Sequence, residues 1–245
     1  MKYNIMLKAL STPFKAYAPG KAPVKCPAGF STYYGADRVP PQILRHLARS
    51  YRRVFAEPPW NEEWKVEEVE EKIIRELEYP SCLAVMEGNN EWRVGGFSWG
   101  AVVPAAEAAR RTQEAHKLDD HKAQEVLRRR LEATFRGDKV YFLDEVAILR
   151  DFRGGMSPIQ FLVRPSLEVA VDEGAVEGIG WTSWDSKIAP LSLYLGFSTL
   201  VAEVKGLAFL YNPDIRPLLK IAQNVNGQVL ERLVRSATRL ARKVA

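Results

Sequence analysis

Apolar and polar positions along the chain change period several times. From Pro40, Leu44, Leu47, Tyr51 and Val54 fall on one helical face. The Pro-Pro break in "EPPWNEEW" must end this helix, because proline removes a backbone donor and forces its neighbour out of the α region. A second amphipathic helix follows, with Val66, Val69, Ile73 and Leu77 on one face and acids on the other. The period then shortens to that of strands. "SCLAVMEG" and "RVGGFSWGAVVP" flank the turn "NNEW" and predict a hairpin. Residues 105–135 are charged, rich in alanine and free of Gly and Pro, which predicts one or two inserted helices. "KVYFLDEVAIL" is a buried strand. A Gly154-Gly155 turn leads to a helix with Ser157 as cap and Pro158 at its first position. Pro165 is expected to kink that helix or end its first part.

The second half continues in the same manner. "VEGIGWTSW" is a strand, "SKIAPLSLYLGF" a short helix ending at Gly196, and "STLVAEVKGLAFLYN" two short strands about Lys205-Gly206. Residues 1–39 show no sustained period and are expected to form an extended arm. Residues 40–211 then form the main domain, and residues 212–245 a basic helical tail. In the tail Leu230, Leu233, Ala237, Leu240 and Val244 make one apolar stripe beside Arg232, Arg235, Arg239 and Arg242. The tail is expected to dock on its own domain or on a second copy, giving a homodimer, with RNA or an anionic surface as the minority alternative.

Composition narrows the class. The 245 residues are 47% hydrophobic, enough for one large domain with additions. No apolar run is long enough for a membrane span. Asn4 and Lys8 break the apolar N-terminus, which argues against a secretory signal. Cys26 and Cys82 form no disulfide framework and are expected to be reduced thiols in a cytoplasmic protein. The net charge of +5 suits anionic partners, including a phosphorylated cosubstrate, without demonstrating nucleic-acid binding. His116 and His121 lie five apart and do not share a helix face, so no metal site is expected, and no Walker loop or Ser-His-Asp order is present.

The chemistry concentrates in "ILRDFRGGMSPIQFL". A strand, an arginine, two glycines and a helix start can present backbone N–H groups and a helix dipole to an anion. An ordinary Gly-Gly turn is the alternative. The strand–turn–helix from Phe142 to Leu162, the following strand and helix with "LGF" at 195–197, and "RVFAEPPWNE" at 53–62 resemble the GNAT N-acetyltransferases over residues 40–211. The resemblance implies an α/β fold, a mixed and mostly antiparallel sheet flanked by helices, with the 105–135 insertion. It implies an acetyl-CoA-dependent N-acetyltransferase acting on an amine, a small molecule or a protein. A catalytically inactive binding or assembly module on the same fold is the alternative.

Residue by residue, the resemblance puts the acetyl-CoA pyrophosphate over Arg153, Gly154, Gly155, Met156 and Ser157. The family pattern, Arg or Gln, two residues, Gly, one residue, Gly or Ala, meets Met156 and Pro158 at its small positions, so the motif is degenerate. The backbone of Val146, Ala147 and Ile148 is expected to pair with the pantetheine arm. Asp144 and Glu145 precede them. Adjacent strand residues face opposite ways, and Glu145 is preferred as general base for its longer reach, against a purely structural carboxylate. The general acid often found four residues before the Gly of "GF" is replaced by Ser192. Tyr194 lies two residues later, so Ser192, Tyr194 or no protein acid serves the leaving thiolate. Glu57, Trp60, Trp99 and Trp181 are expected to border an aromatic, cation-attracting acceptor cleft, with core packing the alternative for each Trp.

Overall fold

The computed structural model describes residues 29–58, 60–114, 121–153, 157–184, 189, 192–193, 196–204 and 206–224. Seven strands form one sheet: β1 (Phe30–Tyr34), β2 (Ser81–Glu87), β3 (Val94–Pro104), β4 (Lys139–Ile148), β5 (Glu177–Ser183), β6 (Thr199–Val204) and β7 (Leu207–Asn212). They lie in the order β1-β2-β3-β4-β5-β7-β6, antiparallel throughout except for β4 beside β5. Among the described residues six α-helices flank them: α1 (Pro41–Phe55), α2 (Val66–Glu76), α3 (Ala105–Glu114), α4 (His121–Thr134), α5 (Ser157–Asp172) and α6 (Arg216–Asn224). This is the α/β class and mostly antiparallel sheet expected from the sequence, with the insertion resolved into α3 and α4.

One element departs from expectation at the N-terminal side. The last described part of the expected arm is strand β1, which pairs with β2 from Phe30↔Met86 to Tyr34↔Cys82. It forms the edge of the sheet, and all five of its residues are half-buried.

Two layers of helix cover the sheet. On one face α1 and α2 set Leu47, Tyr51, Val54, Val69 and Ile73 against Leu83, Val85, Phe97 and Trp99. On the same face the insertion sets Ala108, Ala109, Leu127 and Leu131 against Ala101, Val103, Val140, Phe142 and Phe209. On the other face Leu167 and Ala170 of α5 and Leu219 and Ala222 of α6 pack on Val102 and Tyr141. Strand β3 is therefore covered on both sides and is buried along its length up to Val103. Burying a side chain such as Trp99, which is wholly inaccessible, contributes roughly 2–3 kcal/mol.

Helix α5 passes through Pro165 without ending. The proline removes one backbone donor, and the helix stays packed because Leu162, Leu167 and Ala170 are buried on either side of it. Next to it Ser166 Oγ bonds the Val163 carbonyl at 3.0 Å and lies 2.7 Å from Tyr141 Oη. The closed end of the β4/β5 pair is fastened by Glu177. Its carboxylate accepts the N–H groups of Arg136 (2.9 Å) and Gly137 (2.6 Å) and the hydroxyl of Tyr211. The apolar stripe from Leu230 to Val244 lies outside the described residues, as do Cys26 and His116.

Candidate functional site

Strands β4 and β5 pair only at Val140↔Glu177, Tyr141↔Gly178 and Phe142↔Ile179. Beyond that point β4 continues to Ile148 on β3, and β5 continues to Ser183 on β7, without pairing each other. The two strands splay. This leaves an edge of backbone N–H and C=O groups along Leu143–Ile148 facing a gap, and such groups need partners. Val146 and Ile148 turn their backbone groups to that edge, while those of Ala147, paired with Phe97, face β3.

The end of the splay is marked by Arg153. Leu149 N–H donates to the Gly95 carbonyl at 2.9 Å, towards β3. In a planar trans peptide the carbonyl points opposite to the N–H, so Ile148 O points into the splay. Arg153 Nε donates to it at 2.8 Å, and Arg153 Nη2 reaches Glu57 Oε2 at 3.5 Å. The arginine of the expected anion turn thus stands at the mouth of the splay, half exposed, tied to the α1–α2 loop. Gly154, Gly155 and Met156 lie outside the described residues, and Ser157 opens α5.

Across the same mouth, Trp60 of the α1–α2 loop meets Trp181 of β5 edge to face, with ring centroids 5.8 Å apart. Both rings are half-buried. Glu57 and Trp60 of the loop and Trp181 of β5 are therefore close in space. Trp99 is not with them. It is fully buried beneath Tyr51 and Phe97, and its indole Nε1 donates to Glu76 at 2.8 Å. As the largest side chain on a strand covered on both sides, it belongs to the core.

The two acids of β4 sit where simple alternation does not put them. Trp99 pairs with Glu145 and Gly100 with Leu143, so Asp144 is the extra residue of a β-bulge. The bulge turns Asp144 and Glu145 to the same face, under α1, α2 and α3. The close approach there requires Gly100, since a Cβ at that position would lie 2.7 Å from Tyr141 Cε2 and 2.8 Å from the Phe142 carbonyl.

Glu145 accepts a hydrogen bond from Tyr51 Oη at 2.9 Å and lies 3.3 Å from Lys72 Nζ. Lys72 also bonds Glu76 at 2.5 Å. Asp144 is held by Arg111 Nη1 at 3.2 and 3.3 Å. Burial pushes both carboxyls up from their ordinary values. For Glu145, Lys72 opposes the rise and Glu76 adds to it. For Asp144, Glu76 adds to the rise and Arg111 and Lys72 oppose it. Burial would lower the Lys72 ammonium, but Glu76 and Glu145 hold it above its ordinary value, so it stays charged. Burial, then Glu145, raises the Tyr51 phenol, which stays protonated as a donor.

Ser192 lies apart from this group. Its hydroxyl is 2.6 Å from Ser198 Oγ, which also accepts from Asn212 Nδ2 at 2.9 Å, near the closed end of the pair. Tyr194 lies outside the described residues. Among the described residues no group of His, Cys, Asp and Glu could hold a metal ion, and no helix is long and apolar enough to cross a membrane.

No protein-family model and no curated protein matches the sequence. Solved structures similar to it include arylalkylamine N-acetyltransferase 2 from Aedes aegypti, at 15% identity and a TM-score of 0.46 over 76% of this chain and 99% of that one. NAA60 from Arabidopsis thaliana in complex with acetyl-CoA is similar at 12% identity and 0.44, over 75% and 97%. BCP1 from Saccharomyces cerevisiae is similar at 14% identity and 0.47, over 87% and 93%. The chain has a GNAT-type fold. Its own topology carries that statement: among the described residues, seven strands with one parallel pair in an otherwise antiparallel sheet, and helix α5 following strand β4 of that pair.

Proposed function

We infer that the protein transfers an acetyl group from acetyl-CoA to an amine. The observation that carries this is the splay between β4 and β5. An unpaired strand edge inside a sheet suits an extended amide-bearing chain such as pantetheine, which would bond the backbone of Val146 and Ile148 on either side of Ala147, whose own N–H and C=O face β3. The turn that follows, Arg153 to Ser157, would hold the pyrophosphate, with Arg153 supplying formal charge and the start of α5 partial charge. Acetyl-CoA supplies an activated thioester. The acceptor would enter past Glu57, Trp60 and Trp181, where a carboxylate and two aromatic rings suit a cationic amine with apolar substituents.

The protein's contribution to the reaction is orientation and proton transfer. The amine nitrogen forms a bond to the acetyl carbon, the C–S bond breaks, and the sulfur leaves with the electron pair. An ammonium acceptor gives up two protons. One goes by way of the Glu145 carboxylate to solvent, and one ends on the thiolate, delivered by Tyr194 or by solvent with no protein acid. Calorimetry with CoA and acetyl-CoA, together with thiol release over a panel of arylalkyl and polyamine acceptors, tests this function. Saturable binding with amine-dependent thiol release is expected. Binding with no release on any amine supports an inactive module on the same fold, and absence of binding overturns the proposal.

A further inference from the structure

Arg111 lies in a run of the insertion that reads as solvated surface, yet its side chain is only 9% exposed. Ala108 and Ala109, fully buried, let α3 approach the sheet and carry the arginine inward. There its guanidinium bridges three elements. Nη1 meets Asp144 on the β4 bulge and, at 3.4 Å, the Glu76 carbonyl at the end of α2. Nε bonds Glu107 one turn back at 3.0 Å. The plane lies over the rings of Tyr79 and Phe142, at 5.3 and 5.9 Å.

The charges facing Asp144 and Glu145 can be enumerated element by element. Tyr51 comes from α1, Lys72 and Glu76 from α2, and Glu107 and Arg111 from α3. Glu62, between α1 and α2, acts on Tyr51. Inside the cluster the acids Glu76, Asp144 and Glu145 are 14%, 3% and 6% exposed, and the cations Lys72 and Arg111 are 15% and 9% exposed. Glu107, 16% exposed, is matched by Arg110 of the same helix at 2.7 Å, and with that pair set aside three buried carboxyls face two cations. An uncompensated buried charge is costly, so such a cluster takes up a proton rather than keep it.

We propose that the helical insertion is a working part of the site: Arg111 and Asp144 are positioning residues whose pairing sets where the stored proton of this five-membered cluster resides, and so whether Glu145 stands as a carboxylate. This deepens the acyl-transfer function and rests on it only for the role of Glu145. The upward direction for both bulge carboxyls agrees with a shared proton. The arithmetic makes opposite demands of two variants. Asp144→Asn leaves two acids against two cations, which favours ionised Glu145. Arg111→Gln leaves three acids against one cation, so a second proton must be held.

Two measurements on the full chain test this. By infrared spectroscopy at neutral pH, the carbonyl stretch of a protonated, buried carboxylic acid is expected in the wild type, absent in Asp144→Asn and stronger in Arg111→Gln. In kcat/KM against pH, the acid limb is expected to move down by about one unit in Asp144→Asn and up by about one in Arg111→Gln, the scale of a neighbouring charge. Arg111→Lys should restore the wild-type profile even if Arg111→Gln does not fold. The proposal is overturned if the acid band is missing from the wild type. It is equally overturned if Asp144→Asn loses rate without moving the limb. If no amine is acetylated, the acyl-transfer function fails while the infrared bands still decide the proton count.

Discussion

Replacing Lys72 by methionine isolates the electrostatic part of the buried cluster. Methionine keeps most of the apolar stem and removes the ammonium that lies 2.5 Å from Glu76 and 3.3 Å from Glu145. The contacts of Nζ over the Tyr51 and Trp99 rings, at 5.8 and 5.6 Å, go with it. Removing one partner of a buried ion pair costs about 3–5 kcal/mol, because the other charge stays buried and unpaired. For a domain of this length that is a fall in Tm of about 6–20 °C. The pH dependence gives the sharper test. Burial already raises Glu145 above its ordinary value, and losing Lys72 raises it further. A carboxyl whose folded value is raised contributes stability that is fully present below its unfolded value and is lost as pH rises through the folded one. The deficit of Lys72→Met against wild type should therefore be full near pH 8 and shrink towards pH 5. Denaturant unfolding at the two pH values measures it. A deficit that is equal at both, or absent at both, would refute the reasoning that Lys72 neutralises buried carboxylates.

Two further outcomes concern the proposed reaction. Arg153→Ala should weaken CoA binding by about 1.5 kcal/mol, the lower end for a hydrogen bond to a charged group, since the side chain is half exposed; calorimetry with unchanged affinity would place the anion site elsewhere. Glu145→Gln keeps an acceptor for Tyr51 but removes the base. Turnover should fall by about 10²–10⁴ with acetyl-CoA affinity unchanged, and full rate across a pH series would remove Glu145 from the mechanism.

The helices and the hairpin could be read from the sequence because periodicity reports burial directly. Leu47, Tyr51, Val69, Ile73, Leu83 and Phe97 are apolar for the same reason that they are buried. Strand β1 gave no such signal. It is short and half-buried throughout, and it follows a segment rich in proline and glycine, so nothing in its composition outweighs a loop. The site was harder for a different reason. Glu57 and Trp60 stand out in the sequence because they flank a Pro-Pro break, and Trp181 because it lies near the end of a strand. Tyr51, Lys72, Glu76 and Arg111 are not legible as one buried cluster because their meeting with the acids of β4 joins distant parts of the chain: Tyr51 is 94 positions from Glu145 and Arg111 33 from Asp144. One weak signal was available. Lys72 and Glu76 stand three positions after Val69 and Ile73, on the border of the buried stripe of α2, where a charged side chain can turn inward.

The bulge itself left no mark in composition, yet it decides which groups meet, and its removal gives a prediction specific to this chain. Deleting a residue from a central strand normally slips the register by one and sends every later side chain to the wrong face. Asp144 is the exception in β4, because it has no partner on β3. Without it, Leu143 opposite Gly100 would be followed directly by Glu145 opposite Trp99. Phe142, Glu145 and Ala147 would keep the face of α1 and α3, and Leu143 and Ile148 the face of α5. The charge count would also balance, with Glu76, Glu107 and Glu145 against Lys72, Arg110 and Arg111, while Arg111 keeps its bonds to Glu107 and the Glu76 carbonyl. Deletion of Asp144 should therefore give a soluble chain that melts cooperatively. Deletion of Leu143 should not, since it leaves two acids in succession with no apolar residue between them and Phe142. Circular dichroism melts of the two deletions decide the matter. If both fail to fold alike, the strand depends on the bulge for its twist rather than tolerating it as an insertion, and the register argument falls.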